Sequence, residues 1–213
     1  PRSHFNYLAG ASISAGGFSK WPEALGLAAI GDPSLIRQFG DVARQEYRAV
    51  GIVQALSPMA DLATEPRWPR VVGTFGEDAD QAKIFVGAYI EGFQNGAEGL
   101  RSDSVAAVVK HWVGYGAAKD GHDSHSYFGR FSAFPGDNFE SHIRPFEDAF
   151  AANVSGVMPS FSMIENLVYE GQELEQVGAG FNRFLLTDLL RDRYGFEGVI
   201  LSDWGITKDC NDL

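Results

Sequence analysis

The sequence predicts an α/β fold in which the strands of a parallel sheet alternate with helices. Four short apolar runs are typical of buried strands, and a helical segment precedes each one. The helix-to-strand connections are a few residues long. The strand-to-helix connections are long, at about 58–77, 112–138 and 162–181, and loops of that length are usually functional.

All three long loops leave the carboxyl ends of strands, where α/β barrels place their active sites. A doubly wound open sheet also binds ligands at that edge, so it is the alternative. We favour a (β/α)8 TIM-barrel-like domain. Four strands are about half of the eight such a barrel needs, so the barrel is expected to be incomplete at both ends.

The first predicted helix begins at Asp32 and Pro33, with Asp as N-cap and Pro at the first helical position, and Gly51 ends it. Its apolar residues recur at helical spacing: Leu35, Ile36, Phe39, Val42 and Ala43. The run "GIVQALSP" (51–58) is the first predicted strand, and a helix follows over about 78–99. The apolar face of that helix comprises Ala82, Phe85, Val86, Tyr89, Ile90 and Phe93.

The second predicted strand is "VAAVVKHW" (105–112), and the third is "VSGVMPSF" (154–161). Between them lies a predicted helix near 139–152, which Pro145 should kink or delay.

The last predicted helix covers Asn182 to Tyr194 and is capped by Gly195, and the fourth strand is "FEGVILSD" (196–203). This apolar strand ends on the carboxylate of Asp203, which is followed by Trp204.

Composition excludes several classes of protein. The 213 residues carry a formal net charge of −11, which argues against nucleic acid and anionic membrane surfaces as partners. One cysteine, Cys210, excludes an internal disulfide, and no apolar run approaches the roughly 18 residues of a membrane span. The chain starts at Pro1 without a signal-peptide pattern, so we expect a piece of a longer protein.

Three strand ends carry side chains suited to binding a sugar. Arginine, lysine and histidine donate hydrogen bonds to hydroxyls, tryptophan offers an apolar face to sugar C–H groups, and a carboxylate can attack an anomeric carbon. These residues are Arg67, Trp68 and Arg70 in "PRWPR", Lys110 and His111 in "KHWVGYG", and Asp203 and Trp204 in "SDW".

Each of these residues also has a plainer interpretation. The arginines could be surface ion-pair partners, the tryptophans could be core, and a strand-ending Asp is more often a turn or cap residue. His122 and His125 suggest a metal, but no third ligand has a convincing spacing, and no phosphate-binding glycine motif occurs. We therefore expect no metal and no cofactor.

The motifs "PRWPR…TFGEDAD", "KHWVGYG", "VMPSF" and "NRFLLTDLLRDRYGFEGVILSDW" occur in this order. The chain thereby resembles glycoside hydrolase family 3, the β-glucosidase family, from about residue 18 to 207. The resemblance implies that residues 1–213 are part of the N-terminal (β/α)8 domain, or of a collapsed variant of it. An α/β sandwich domain is implied beyond the C-terminus.

By position, the resemblance implies that Asp203 is the catalytic nucleophile, that Arg70, Lys110 and His111 hold the cleaved sugar, and that Trp204 is the aromatic residue beside the nucleophile. The implied activity is that of a retaining exo-β-glycosidase, a β-glucosidase acting on gluco-oligosaccharides through a covalent glycosyl-Asp intermediate.

The sequence departs from the family pattern in several places. Phe161 stands where the family usually has a tyrosine that contacts the nucleophile, and His122 replaces an arginine. A sugar-binding aspartate is expected before Pro1, and the acid/base glutamate beyond Leu213. The isolated chain is therefore expected to be inactive.

Two other functions stay open. The β-N-acetylglucosaminidase branch of the family uses an Asp–His pair that "DSH" (123–125) resembles. However, Val113 replaces a proline of that branch, the loop is two residues longer, and the branch has no tryptophan after the nucleophile. The other alternative is a non-catalytic carbohydrate-binding fragment. Polysaccharide degradation and the lone cysteine suit a periplasmic or secreted location.

Overall fold

The computed structural model describes residues 17–206, so Pro1 and Cys210 lie outside the described residues. The helices are α1 Ala24–Ala28, α2 Pro33–Ala49, α3 Ala79–Gln94, α4 Phe139–Ile143 and α5 Glu147–Ala151, with a π-helix at Phe184–Arg193. The strands are β1 Gln54–Ala55, β2 Ala106–Trp112, β3 Phe131–Ser132, β4 Gly156–Pro159, β5 Met163–Ile164, β6 Val168–Tyr169, β7 Gln172–Glu173 and β8 Val199–Ile200. Short 3-10 helices span Val71–Gly73, Tyr115–Ala117, Lys119–Gly121, Tyr127–Gly129, Arg144–Phe146 and Ala179–Phe181.

The central sheet consists of four parallel strands in the order β1-β2-β4-β8. The predicted parallel α/β fold is therefore confirmed. Among these four strands the spatial order follows the chain without a reversal, whereas a doubly wound sheet reverses its order at a switch point. The remaining strands form two small two-stranded sheets, β3 with β5 and β6 with β7.

The strands are shorter than their apolar runs predicted, most of all at the sheet edges. β1 keeps two residues of the predicted 51–58, and β8 keeps two of 196–203. Each of these edge strands has one neighbour among the described strands, whereas β2 and β4 are paired on both sides. Fewer ladder hydrogen bonds hold an edge strand in extended geometry.

Local capping signals set the helix ends. The Asp32 side chain accepts a hydrogen bond from the Ser34 N–H at 2.8 Å, so the predicted N-cap is confirmed. The helix predicted over 78–99 ends earlier, at Gln94, because Asn95 adopts the left-handed conformation that terminates helices. Pro145 interrupts the helix near 139–152 with the 3-10 turn between α4 and α5, as its ring requires.

The helix predicted over Asn182 to Tyr194 is a π-helix rather than an α-helix. Its buried side chains recur at four and five residues and are Phe184, Leu185, Leu189 and Leu190. The carbonyl of Leu185 accepts a hydrogen bond from the Trp112 indole Nε1 at 2.9 Å, which joins this helix to β2. Gly195 ends the helix with a φ of +63°, as predicted.

Helices α2 and α3 pack at backbone contact. A Cβ on Gly92 would lie 2.4 Å from the Arg37 carbonyl oxygen and 2.8 Å from the Gly40 Cα, so only glycine permits this crossing. On β2, the buried Trp112 ring packs edge-on against the rings of Phe146 and Phe150. Between residues 17 and 206, no helix has the length and apolar character needed to cross a membrane.

His142, on α4, is a buried imidazole in this core. Its Nε2 lies 3.3 Å from the Thr64 hydroxyl, and its ring packs edge-on against Phe134. Burial lowers the pKa of His142 from its ordinary value of 6.5 to about 4. The folded protein therefore holds this ring neutral at a pH where the unfolded chain would already bind a proton.

Stability should fall as the pH drops through this window. Between pH 6.5 and about pH 4, the unfolded state binds one proton more at His142, so the free energy of unfolding declines by about 3 kcal/mol. His142→Asn should flatten this part of the profile, measured by urea unfolding at successive pH values. The matched variant His122→Asn changes an exposed imidazole and should keep the wild-type slope. An unchanged slope in His142→Asn would contradict this assignment.

Candidate active site

The candidate site lies at the carboxyl ends of β1, β2 and β8. Lys110 and His111 belong to the last residues of β2, and Asp203 follows β8 by three residues. The loop after β1 continues alongside β2, because the Ala60 N–H donates to the Lys110 carbonyl at 2.6 Å. This extension brings the loop that carries Arg70 to the same sheet edge.

Arg70 and Asp203, predicted from separate motifs, meet at His111. Arg70 Nη2 lies 3.2 Å from His111 Nε2. His111 Nε2 in turn lies 3.9 Å from Asp203 Oδ2. All three side chains are buried. A cation, an imidazole and a carboxylate from three strand ends therefore form one cluster.

Lys110 adds a second cation beside this cluster. Its side chain is half-buried. Burial and, to a smaller extent, the Arg70 charge lower the pKa of Lys110 from 10.5 to about 8, against the opposing effect of the Asp203 and Asp61 carboxylates. The amine is therefore still mostly protonated at neutral pH, although its pKa lies much nearer to neutrality than that of an ordinary lysine.

Asp61 is a member of the site that the sequence analysis missed. Its Oδ2 lies 2.8 Å from His111 Nδ1 and accepts the His111 backbone N–H at 3.2 Å. Burial raises the pKa of this carboxyl to about 7, against the opposing charges of Arg70 and Lys110. The stretch "PMADLATEP" does not indicate a functional residue, because a single aspartate in a loop has no spacing pattern.

The Asp203 carboxylate is 4% exposed, and its two oxygens differ. Oδ1 accepts the Trp204 backbone N–H at 2.7 Å. Oδ2 has no hydrogen-bond partner within residues 17–206. The Trp204 side chain is 64% exposed and follows this carboxylate directly in the chain.

Several buried polar atoms of the cluster lack partners in the described part of the chain: Asp61 Oδ1, Arg70 Nη1 and Asp203 Oδ2. A buried polar group left unpaired costs about 1–3 kcal/mol. Unpaired donors and acceptors at one place are what a ligand with several hydroxyl groups would satisfy. The carboxylate of Asp203 can in addition act as a nucleophile.

Other candidates from the sequence have different surroundings. Trp68 is 1% exposed, so the expectation that it could offer a face to a sugar is wrong. Arg67 is exposed and ion-paired with Glu65 at 2.7 Å, which is the plainer interpretation. The Phe161 ring is half-buried and packs against His125 with centroids 4.7 Å apart.

A second network ties the loop after β2 to the loop after β1. Asp123 accepts hydrogen bonds from Trp68 Nε1 at 3.1 Å and from the Tyr115 hydroxyl at 2.8 Å, and it also contacts His125 Nδ1. Burial alone would raise the pKa of the Asp123 carboxyl, but hydrogen bonds from His125 and Tyr115 hold it well below its usual range. The ring of Tyr115 in turn lies against Arg70, 5.0 Å from the guanidinium.

The two loops also touch through their backbones. A Cβ on Gly116 would lie 1.8 Å from the Leu62 carbonyl oxygen, so this crossing requires glycine.

His122, the other half of the suggested metal pair, is exposed. In the stretch from residue 17 to 206, no group of three His, Cys, Asp or Glu side chains is arranged to hold a metal ion.

Comparison with known proteins gives consistent matches. The family model described as "Glycosyl hydrolase family 3 N terminal domain" matches residues 4–213. A periplasmic beta-glucosidase/beta-xylosidase of Dickeya chrysanthemi is 63% identical over 99% of this chain and 32% of its own length. Beta-glucosidase C of Emericella nidulans is 46% identical over 98% of this chain and 33% of its own length. The chain thus spans about a third of the length of these curated relatives.

A solved structure resembles the fold as well. The beta-glucosidase from Listeria innocua in complex with glucose has a TM-score of 0.76 and 29% sequence identity. The match covers 89% of this chain and 25% of that chain.

The Tyr115 hydroxyl should be worth a measurable part of the stability. Tyr115→Phe keeps the ring beside Arg70 but leaves the Asp123 carboxylate with one donor fewer, so the free energy of unfolding should fall by about 1–3 kcal/mol. In an Asp123→Ala background the same change should cost less, because the acceptor is gone. Tyr127 is an exposed tyrosine of the same loop, so Tyr127→Phe should leave the free energy of unfolding in urea unchanged. Equal losses in both backgrounds would show that the hydroxyl does not act through Asp123.

Proposed function

Because the chain belongs to glycoside hydrolase family 3, we propose that it is the nucleophile-bearing part of a retaining exo-β-glycosidase. The proposed substrates are gluco-oligosaccharides with a terminal β-D-glucosyl residue. The observation that carries this proposal is the buried Asp203 Oδ2, which has no hydrogen-bond partner in the described residues and lies beside His111. The relatives named beta-glucosidase support the choice of substrate.

The proposed reaction has two steps. An oxygen of Asp203 attacks the anomeric carbon, the glycosidic C–O bond breaks, and the leaving oxygen takes a proton from a second carboxylic acid. Water then attacks the same carbon, gives its proton back to that carboxylate, and releases Asp203 and the sugar. Oδ2 is the proposed attacking oxygen, because Oδ1 is engaged by the Trp204 N–H.

Arg70, Lys110 and His111 are proposed to hold the hydroxyls of the cleaved sugar. Arg70 Nη1 is buried and lacks a partner among the described residues, so it is a donor available to a hydroxyl. Lys110 supplies a cation whose charge also stabilises the Asp203 carboxylate. The two cations offset the buried negative charge before the sugar arrives.

Trp204 and Phe161 are the proposed aromatic contacts. The Trp204 side chain is exposed beside the nucleophile, where it can stack on a sugar face. Phe161 lacks the hydroxyl expected at its position and lies against His125, so its proposed contribution is apolar contact.

The architecture of the whole protein is part of the same proposal. The chain-order strands β1-β2-β4-β8 are proposed to be one half of a (β/α)8 barrel. A second α/β sandwich domain of the same protein is proposed to supply the acid/base glutamate, and the greater length of the relatives supports this. A periplasmic or secreted location is proposed, following the relative named as periplasmic.

One observation keeps the β-N-acetylglucosaminidase activity as the second candidate. Asp123 and His125 are in contact, as an acid/base pair in this loop would require. However, His125 Nδ1 also contacts the Tyr115 hydroxyl at 2.9 Å, and Asp123 holds Trp68. These contacts favour an anchoring role for the pair.

The nucleophile can be identified by trapping. A slow 2-fluoroglucoside should form a stable ester with the full-length protein, and peptide mapping by mass spectrometry should find the sugar on Asp203. Asp203→Ala should reduce turnover by several orders of magnitude, and azide should restore part of it while producing the α-glucosyl azide. The matched variant Asp188→Ala, on the π-helix, should keep full activity. Label on Glu165, Asp120 or Asp123 instead would refute the assignment.

Residues 1–213 alone should not hydrolyse a β-linked glucose disaccharide, because general acid catalysis contributes about 10²–10⁴-fold and the proposed acid belongs to the second domain. The purified chain should be assayed with that disaccharide and with an aryl N-acetyl-β-glucosaminide. Turnover of the glucosaminide that is abolished by His125→Ala would place the acid in the 123–125 loop and favour the second candidate.

A further inference from the structure

The Asp61 carboxyl is buried in the loop after β1 and contacts one residue twice. Oδ2 faces both the side-chain Nδ1 and the backbone N–H of His111, at 2.8 Å and 3.2 Å. Two contacts from one oxygen fix both the position of the backbone and the rotation of the ring.

The backbone around Asp61 holds it in register with His111. The Lys110 N–H donates to the Pro58 carbonyl at 3.0 Å, and the Ala60 N–H donates to the Lys110 carbonyl at 2.6 Å. These two hydrogen bonds form a parallel β-bridge between Met59 and Lys110, and Asp61 follows this bridge by two residues. The bridge therefore brings the Asp61 carboxylate within reach of both the backbone N–H and the ring of His111.

The neighbours of His111 decide which ring nitrogen carries the proton. Arginine can only donate, so the 3.2 Å contact from Arg70 Nη2 makes Nε2 the acceptor. A neutral imidazole then carries its proton on Nδ1, which faces Asp61 Oδ2. Both contacts are satisfied by this single tautomer.

The opposite tautomer would disturb the site in two ways. A proton on Nε2 would face the Arg70 N–H as a second donor. It would also point towards Asp203 Oδ2, 3.9 Å away, and could donate to the lone pair proposed to attack the sugar.

We propose that Asp61 is a positioning residue, which keeps the His111 proton on Nδ1 so that Nε2 accepts from Arg70 and no donor reaches the nucleophilic oxygen of Asp203. This role rests on the proposed glycosidase function for its catalytic consequence, but the placement of the proton does not. Burial raises the pKa of Asp61 to about 7, so near neutral pH its hydrogen bonds, more than a full charge, must orient the ring.

Two variants separate the acceptor from the size of the side chain. Asp61→Asn keeps an oxygen that can accept the Nδ1 proton, whereas Asp61→Leu has a similar volume and no acceptor. In the full-length protein we expect the rate of covalent labelling by the 2-fluoroglucoside to fall by roughly 10–100-fold in Asp61→Leu, as for other partners that orient a functional histidine. Asp61→Asn should retain most of that rate, and Asp188→Asn should retain all of it.

The proton itself can be observed by ¹⁵N NMR of histidine-labelled protein, with the His111 signals assigned by their loss in His111→Gln. Wild type should show a protonated Nδ1 and an unprotonated Nε2. In Asp61→Leu a measurable fraction should carry the proton on Nε2 instead, because Nδ1 has lost its acceptor while Arg70 still favours an unprotonated Nε2. A protonated Nε2 in wild type would overturn the proposal, even if neither variant folds. An unchanged tautomer and labelling rate in Asp61→Leu would overturn it too. A wild-type protein that shows the Nδ1 proton but labels no carboxylate would contradict the glycosidase function and still support the proton placement.

Discussion

The imidazole of His111 joins side chains that arrive from different strand ends. Its backbone belongs to β2, while Asp61 and Arg70, which contact its two ring nitrogens, come from the loop after β1. Asp203 approaches the same ring from the end of β8. Because the ring cannot turn without losing a contact on each side, the spacing between the cations and the carboxylate exists before a ligand binds. Groups held in this way need no rearrangement during reaction.

A net charge of −11 says little about such a site. The excess of carboxylates is spread over the whole chain, whereas Arg70 and Lys110 bring two cations to one buried place. Their partial compensation by Asp61 and Asp203 is visible in the pKa of Lys110, which burial and Arg70 lower and the two carboxylates raise. The pairing of these four groups, rather than the net charge of the chain, therefore determines the electrostatics at this place.

Sequence patterns predicted what local physics determines. The Asp32 cap, the interruption at Pro145 and the parallel alternation all follow from backbone geometry, and all are confirmed. The meeting of His111 and Asp203 was predictable, because parallel strand ends share one edge. The partnership of Asp61 with His111 was not, since it depends on the register of two strands. Long-range packing likewise buried Trp68, and the last helix is a π-helix where its pattern predicted an ordinary helix.

The Asp123 network holds the long loop after β2 near its base and leaves its tip outside. Asp123 binds Trp68 and Tyr115, whereas the side chains of Tyr127 and Phe128 are exposed a few residues further along. Substitutions at the tip therefore change the outer rim without loosening the residues that surround His111. The surface of this loop can therefore vary independently of the side chains that contact His111.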